Sequence, residues 1–153
     1  MRRARRSSPP SAPDATATEN LLLVVDTSAV LEALAALDPD PALIERLAGD
    51  GDLHGPHLID IEVLHALRRM TMNGEISEER AADARSDFAE LALVRYPHHP
   101  LGNRIWEMRH NLTAYDATFV ALAEALAAPL VSCDARLAST PGHAVRIELF
   151  ASS

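Results

Sequence analysis

Four carboxylates sit in surroundings too apolar for ordinary surface acids. Asp26 closes the run Val24-Val25-Asp26 and is followed by Thr27-Ser28-Ala29. Glu62 lies in Ile61-Glu62-Val63, Asp116 in Tyr115-Asp116-Ala117, and Asp134 in Ser132-Cys133-Asp134-Ala135. A buried carboxylate without a partner is expensive, and few cations lie close to these four in sequence. Grouping them around a divalent ion removes the difficulty. Oxygen ligands of this kind select Mg²⁺ or Mn²⁺ over zinc. A bound ion of that type orients water and offsets charge on a phosphodiester. Each acid also has a structural reading. Asp26 suits the cap of a helix beginning near Ser28, and Glu62 is two helical turns from Arg69. Thr113-x-x-Asp116 has the spacing of a capping box, and Asp134 suits the cap of a turn over 134–137.

The elements that must position these acids follow from hydrophobic periodicity and stop signals. Residues 21–26 read as a buried strand ending on an acid, and 28–37 as a helix. Asp40-Pro41 opens a helix to about Ala48. A short strand over 53–57 leads to a helix over 58–72. That helix is apolar on most sides through Leu67, which predicts a central position. Asn73-Gly74 breaks it, Ser77 caps the next helix to about Leu91, and 92–96 is a strand. Leu101, Ile105, Met108 and Leu112 form a helical stripe. Tyr115, Phe119, Leu122 and Leu126 form another, ended by Pro129. Strands follow at 130–132 and 144–150. Alternation of this kind predicts an α/β fold with a central parallel β-sheet flanked by helices. Ligands in such sheets sit at the carboxyl ends of strands, where both Asp26 and Asp134 fall.

Composition narrows the chemistry. The 153 residues suit one domain, expected over 21–150. All 14 basic residues are arginine. A Walker-type phosphate loop and Schiff-base catalysis each need a lysine and are excluded, and the missing lysine argues against a receiver domain. One cysteine excludes a disulfide scaffold and a Cys-rich zinc site. The net charge is −8, yet Arg2, Arg3, Arg5 and Arg6 open the chain, so the remainder carries ten basic against 22 acidic residues. An acidic body repels nucleic acid unless its acids hold metal or meet a basic partner. Residues 1–20, rich in Arg, Pro and Ser, read as a disordered tail, or as sequence upstream of a true start at Val24 or Val25. With no apolar run of spanning length and no signal peptide, the expected location is cytoplasmic, away from membranes.

The ordered segments resemble the PIN-domain ribonucleases, and most closely the VapC toxins of actinobacterial type II (VapBC) toxin–antitoxin pairs. The resemblance is carried by Val24-Val25-Asp26-Thr27-Ser28-Ala29-Val30, by Asp60-Ile61-Glu62-Val63-Leu64-His65-Ala66-Leu67-Arg68-Arg69, by Arg104-Ile105-Trp106 and Asn111-Leu112-Thr113-Ala114-Tyr115-Asp116-Ala117, and by Val131 through Asp134-Ala135-Arg136-Leu137. It implies that Asp26 and Asp116 are primary Mg²⁺ (or Mn²⁺) ligands. Glu62 and Asp134 would complete the acidic pocket, and Ser28 and Ser132 would support it. The implied reaction is hydrolysis of RNA, of the tRNA or ribosomal RNA class, by water. The implied partners are a cognate VapB-like antitoxin that covers the groove and a second copy in a homodimer, with DNA bound only through the antitoxin.

Candidates for RNA contact are Arg68, Arg69, Arg104 and Arg109, of which Arg69 and Arg104 read equally as structural ion pairs. Trp106 is expected to pack, in preference to stacking on a base, and His65 to be a satisfied core histidine. His98-His99 lacks a third ligand at helical spacing, and Cys133 lacks a histidine partner signature. A haloacid-dehalogenase-like phosphatase is disfavoured because Asp26-Thr27-Ser28 lacks the Asp-x-Asp pattern and its lysine is missing. A catalytically silent PIN domain acting as a binding or regulatory subunit is the alternative.

Overall fold

A computed structural model describes residues 22–152. The arginine-rich tail over 1–20 lies outside the described residues. The elements run β1 (Leu22–Val25), α1 (Thr27–Ala35), α2 (Pro41–Leu47), β2 (Asp52–Pro56), α3 (Leu58–Met72), α4 (Glu78–Glu90) and β3 (Leu93–Tyr96). A 3-10 turn over His99–Leu101 leads to α5 (Gly102–Glu107), α6 (Ala114–Leu126), β4 (Leu130–Ser132), α7 (Ala135–Ser139) and β5 (Ile147–Leu149).

The five strands form one parallel sheet in the order β3-β2-β1-β4-β5. From β1 the chain moves outward through β2 to β3, then crosses back to β4 and β5 on the other side. Right-handed crossovers therefore set α1–α4 on one face and α5–α7 on the other. The reversal lies between β1 and β4, so their carboxyl ends diverge into opposite-facing connections and leave a crevice. β1 is the middle strand, with Leu23, Val24 and Val25 all 0% exposed.

The central helix is α6, not α3. Residues 117–123 of α6 are all buried, and the helix packs across β1, β2 and β4. In α3 only Ile59, Val63, Ala66 and Leu67 are buried. Ile61 at 66%, Leu64 at 44% and Met72 at 72% remain exposed. Helical geometry places these exposed apolar residues away from the sheet. The predicted stripe over 101–112 is helical only in part. α5 ends at Met108 (φ −83°, ψ 0°), because Thr113 must take an extended conformation (φ −63°, ψ 158°) to cap α6. β5 is three residues long, shorter than predicted, since its neighbour β4 offers only three residues for pairing.

Leu23→Ala opens a cavity beneath the sheet and should lower unfolding stability by about 3 kcal/mol, read from urea denaturation. Leu37→Ala, on a side chain 87% exposed, should shift it by less than about 0.5 kcal/mol. Equal effects would show that β1 does not carry the core.

Candidate active site

Asp26 leaves β1 in an extended conformation (φ −92°, ψ 171°) and caps α1, its Oδ1 accepting the Ala29 amide at 2.9 Å. Ser28 Oγ donates to the same oxygen at 2.6 Å, and Ser132 Oγ donates to Oδ2 at 2.5 Å. Both serines also accept. The Cys133 amide donates to Ser28 Oγ and the Asp134 amide to Ser132 Oγ, each at 2.9 Å. Two hydroxyls thus fasten the end of β1 to the end of β4, with Asp26 between them. Asp26 is only 6% exposed. Burial raises its carboxyl above the usual range against the pull of these hydrogen bonds, and the Asp134 charge raises it further.

Glu62 projects from α3 and accepts from Thr27 Oγ1 at 2.5 Å. Partial burial raises its pKa, the Thr27 bond opposes this, and the charges of Asp116 and Asp26 add to the rise. Asp116 stands in the first turn of α6. Thr113 Oγ1 accepts its amide at 3.1 Å and donates to its Oδ2 at 2.9 Å. Asp134 caps α7 through the Arg136 amide at 2.9 Å and is ion-paired to the Arg136 guanidinium at 3.1 Å, which lowers its pKa. Three of the four structural readings therefore hold at the backbone, where Asp26, Asp116 and Asp134 all take part in helix starts. The Glu62–Arg69 pair is replaced by the Thr27 bond.

All four acids line one open cleft of about 650 Å³, walled by Ser28, His65, Arg69, Tyr115 and Arg136 among others. Among the described residues no three His, Cys, Asp or Glu side chains close into a compact metal cage. A hard cation that keeps several waters needs only one or two carboxylates, which the cleft offers. The cleft lacks the set of histidine and cysteine ligands that zinc sites favour. The donors here are carboxylates and hydroxyls, and two of the carboxylates are held at a desolvation cost that a cation would offset.

Residues 23–142 match the family model of the PIN domain. The chain belongs to the PIN-domain family. Ribonuclease VapC1 of Mycobacterium tuberculosis is 46% identical over 127 residues, covering 82% of this chain and 96% of the relative. Ribonuclease VapC9 of the same organism is 44% identical over 119 residues, covering 78% and 91%. Among solved structures, VapBC2 from Rickettsia felis, bound to a DNA fragment from their promoter, superposes with a TM-score of 0.59 at 14% identity, covering 84% of this chain and 98% of that one.

On this PIN fold the arginine candidates separate. Arg69 lines the cleft. Arg68 faces a shallow groove between α3 and α4. Arg104 is held by Glu124 at 2.7 Å and Glu107 at 3.1 Å, and it also donates to the Gly142 carbonyl. Arg109 lies over the Trp106 ring. His65 is exposed on the cleft wall, not in the core. The core histidine is His54, whose Nδ1 lies 3.0 Å from Tyr96 Oη. Sequence reasoning overlooked Thr27 and Arg136. Thr27 was legible as the hydroxyl beside Asp26, and Arg136 as a cation two residues past Asp134. His65 was legible from its i+3 spacing to Glu62 on one helix face.

The folded chain holds the Asp26 and Glu62 carboxyls above their unfolded pKa values, so it binds more protons than the unfolded chain over that interval. Their contribution to stability is fullest when both are protonated and falls as pH rises through the folded values. Asp26→Asn should therefore raise the melting temperature of the metal-free chain at pH 7, with the gain vanishing below pH 4. A lower melting temperature at pH 7 would mean that the hydrogen bonds to Asp26 outweigh its desolvation.

Proposed function

We propose that this chain is the toxin of a toxin–antitoxin pair, a Mg²⁺- or Mn²⁺-dependent endoribonuclease that hydrolyses RNA phosphodiester bonds. The observation that carries this reading is the convergence of Asp26, Glu62, Asp116 and Asp134, from four separate elements, on one cleft at the crossover of the sheet. The ribonuclease relatives named above support RNA as the substrate. Asp26 and Asp116 would hold the ion, with Glu62 and Asp134 beside it. When bound, the ion supplies positive charge that activates water and offsets charge building on the phosphodiester.

The chain's own residues then have distinct tasks. Ser28 and Ser132 keep both Asp26 oxygens oriented before metal arrives, and Thr27 does the same for Glu62. Arg136 restrains Asp134 at the rim. Arg69 gives the cleft wall a cation that can meet a phosphate. Cys133 takes no nucleophilic part, because burial and the nearby Asp26 charge push its thiol up to about 12.

A second groove, about 580 Å³, adjoins the cleft and shares Ser28, Leu31 and Arg69 with it. It is lined by the apolar Ala35, Met70 and Ile76 and by the acids Glu32, Asp38 and Glu75. Such a groove suits a basic amphipathic segment of a VapB-like antitoxin, which would bring DNA contact with it. The exposed apolar side of α3 suits a homodimer contact. A cytoplasmic location accords with an antitoxin partner and an RNA substrate. Among the described residues no helix is long and apolar enough to cross a membrane.

The decisive experiment incubates the purified chain with total RNA, with Mg²⁺, with EDTA, and as Asp116→Asn. Discrete cuts are expected with Mg²⁺, none with EDTA, and a loss of at least about 100-fold for Asp116→Asn at an unchanged melting temperature. Undiminished cutting by Asp116→Asn would remove Asp116 from the site. A folded, antitoxin-free chain that cuts no RNA would favour the silent binding subunit.

A further inference from the structure

The single tryptophan of the chain, Trp106, is 68% exposed. The expectation that it packs is thus overturned, and a large indole left in water needs a reason. The Arg109 guanidinium lies over its ring, 4.7 Å from the centroid, and Arg109 Nη1 donates to the Trp106 carbonyl at 2.9 Å. Among the described residues Arg109 makes no ion pair with a carboxylate. Arg104, five residues earlier, is by contrast engaged with Glu124. One face of the indole therefore carries a guanidinium whose charge is available to an anion, and the rest of the ring is open.

The pair does not line the cleft, but the chain connects it to the Asp116 end of α6. Arg104 meets Glu124, which is eight residues beyond Asp116 on α6, or about 12 Å of helical rise. From Arg104 the chain must return to Thr113, the cap at the Asp116 end. Trp106 and Arg109 lie on that return path. Met108 is buried between them at 2% exposure, so the segment is anchored to the core.

We propose that Trp106 and Arg109 form a stacking platform, outside the catalytic cleft, for an unpaired base of the RNA substrate, and that this base is part of what the protein selects. This rests on the ribonuclease reading. Proteins that read single-stranded RNA stack splayed bases on aromatic rings and guanidinium planes. Stacking does not require a positive surface, which suits a chain of net charge −8. Arg109 can meet the phosphate of the stacked nucleotide.

Because Trp106 is the only indole, its fluorescence reports the platform directly. Bulk tRNA and ribosomal RNA are titrated into the Asp116→Asn chain, and cleavage by wild type, Trp106→Ala and Trp106→Phe is mapped in Mg²⁺. Saturable quenching is expected, with a roughly 5- to 100-fold slower cut and altered base preference for Trp106→Ala. Trp106→Phe should retain most of the rate. Wild-type cleavage without quenching, or identical rates and sites in Trp106→Ala, would overturn the platform and leave the ribonuclease reading standing. Quenching without any wild-type cleavage would keep the platform and remove the ribonuclease. Blue-shifted emission before RNA is added, with Trp106→Ala converting a dimer to monomer in sedimentation, would make Trp106 a subunit contact and overturn the proposal.

Discussion

A carboxylate held almost out of water at the end of the innermost strand is the constraint on which the rest depends. Two hydroxyls and one amide point at the Asp26 oxygens and offset part of the desolvation that raises its carboxyl pKa. Those hydroxyls belong to α1 and β4, and each also accepts a backbone amide from the loop after β4. The same bonds that orient the acid therefore hold the two strands at the crossover of the sheet. Opening of the crevice is limited by the residues that organise its chemistry.

Around this point the fold distributes negative charge unevenly. Asp26 and Glu62 are raised by burial and by their neighbours, while Asp134 is lowered by Arg136. The cleft thus contains acids that favour a cation beside one that already has a partner. Elsewhere the arginines are placed in bidentate or short pairs that hold the periphery: Arg46 on Glu148, Arg95 on Asp60, and Arg104 on Glu124. These partly exposed pairs contribute modestly to stability. Their larger effect is to commit these three cations to the periphery, whereas Arg69 lines the cleft and Arg109 lies on Trp106.

Much of the fold was legible. The α/β alternation, the Asp40 and Ser77 caps, and the strand over 130–132 follow from local pattern, because caps and periodicity are properties of a few adjacent residues. The position of α3 was not legible. Its apolar residues surround the helix, and only the packing of α6 on the sheet shows which side is needed. Trp106 and His65 were misjudged for the same reason, since residue type gives an average burial and the neighbours give the actual one. Of the site, the four acids were legible as a set, and the ties through Ser28, Ser132 and Thr27 were not distances that any spacing could supply.

By itself the sequence determined which groups are present: four carboxylates in apolar settings, hydroxyls beside them, no lysine and a single thiol. Those facts restrict the chemistry, because a reaction cannot use a group the chain lacks. Only the tertiary structure decided which groups meet. Asp26 and Asp134 are far apart along the chain and become neighbours because β1 and β4 pair in parallel. Glu62 and Asp116 reach them from helices on opposite faces. Contact between distant residues depends on strand order and crossover direction, which are settled when the whole core packs and not by any local stretch of residues.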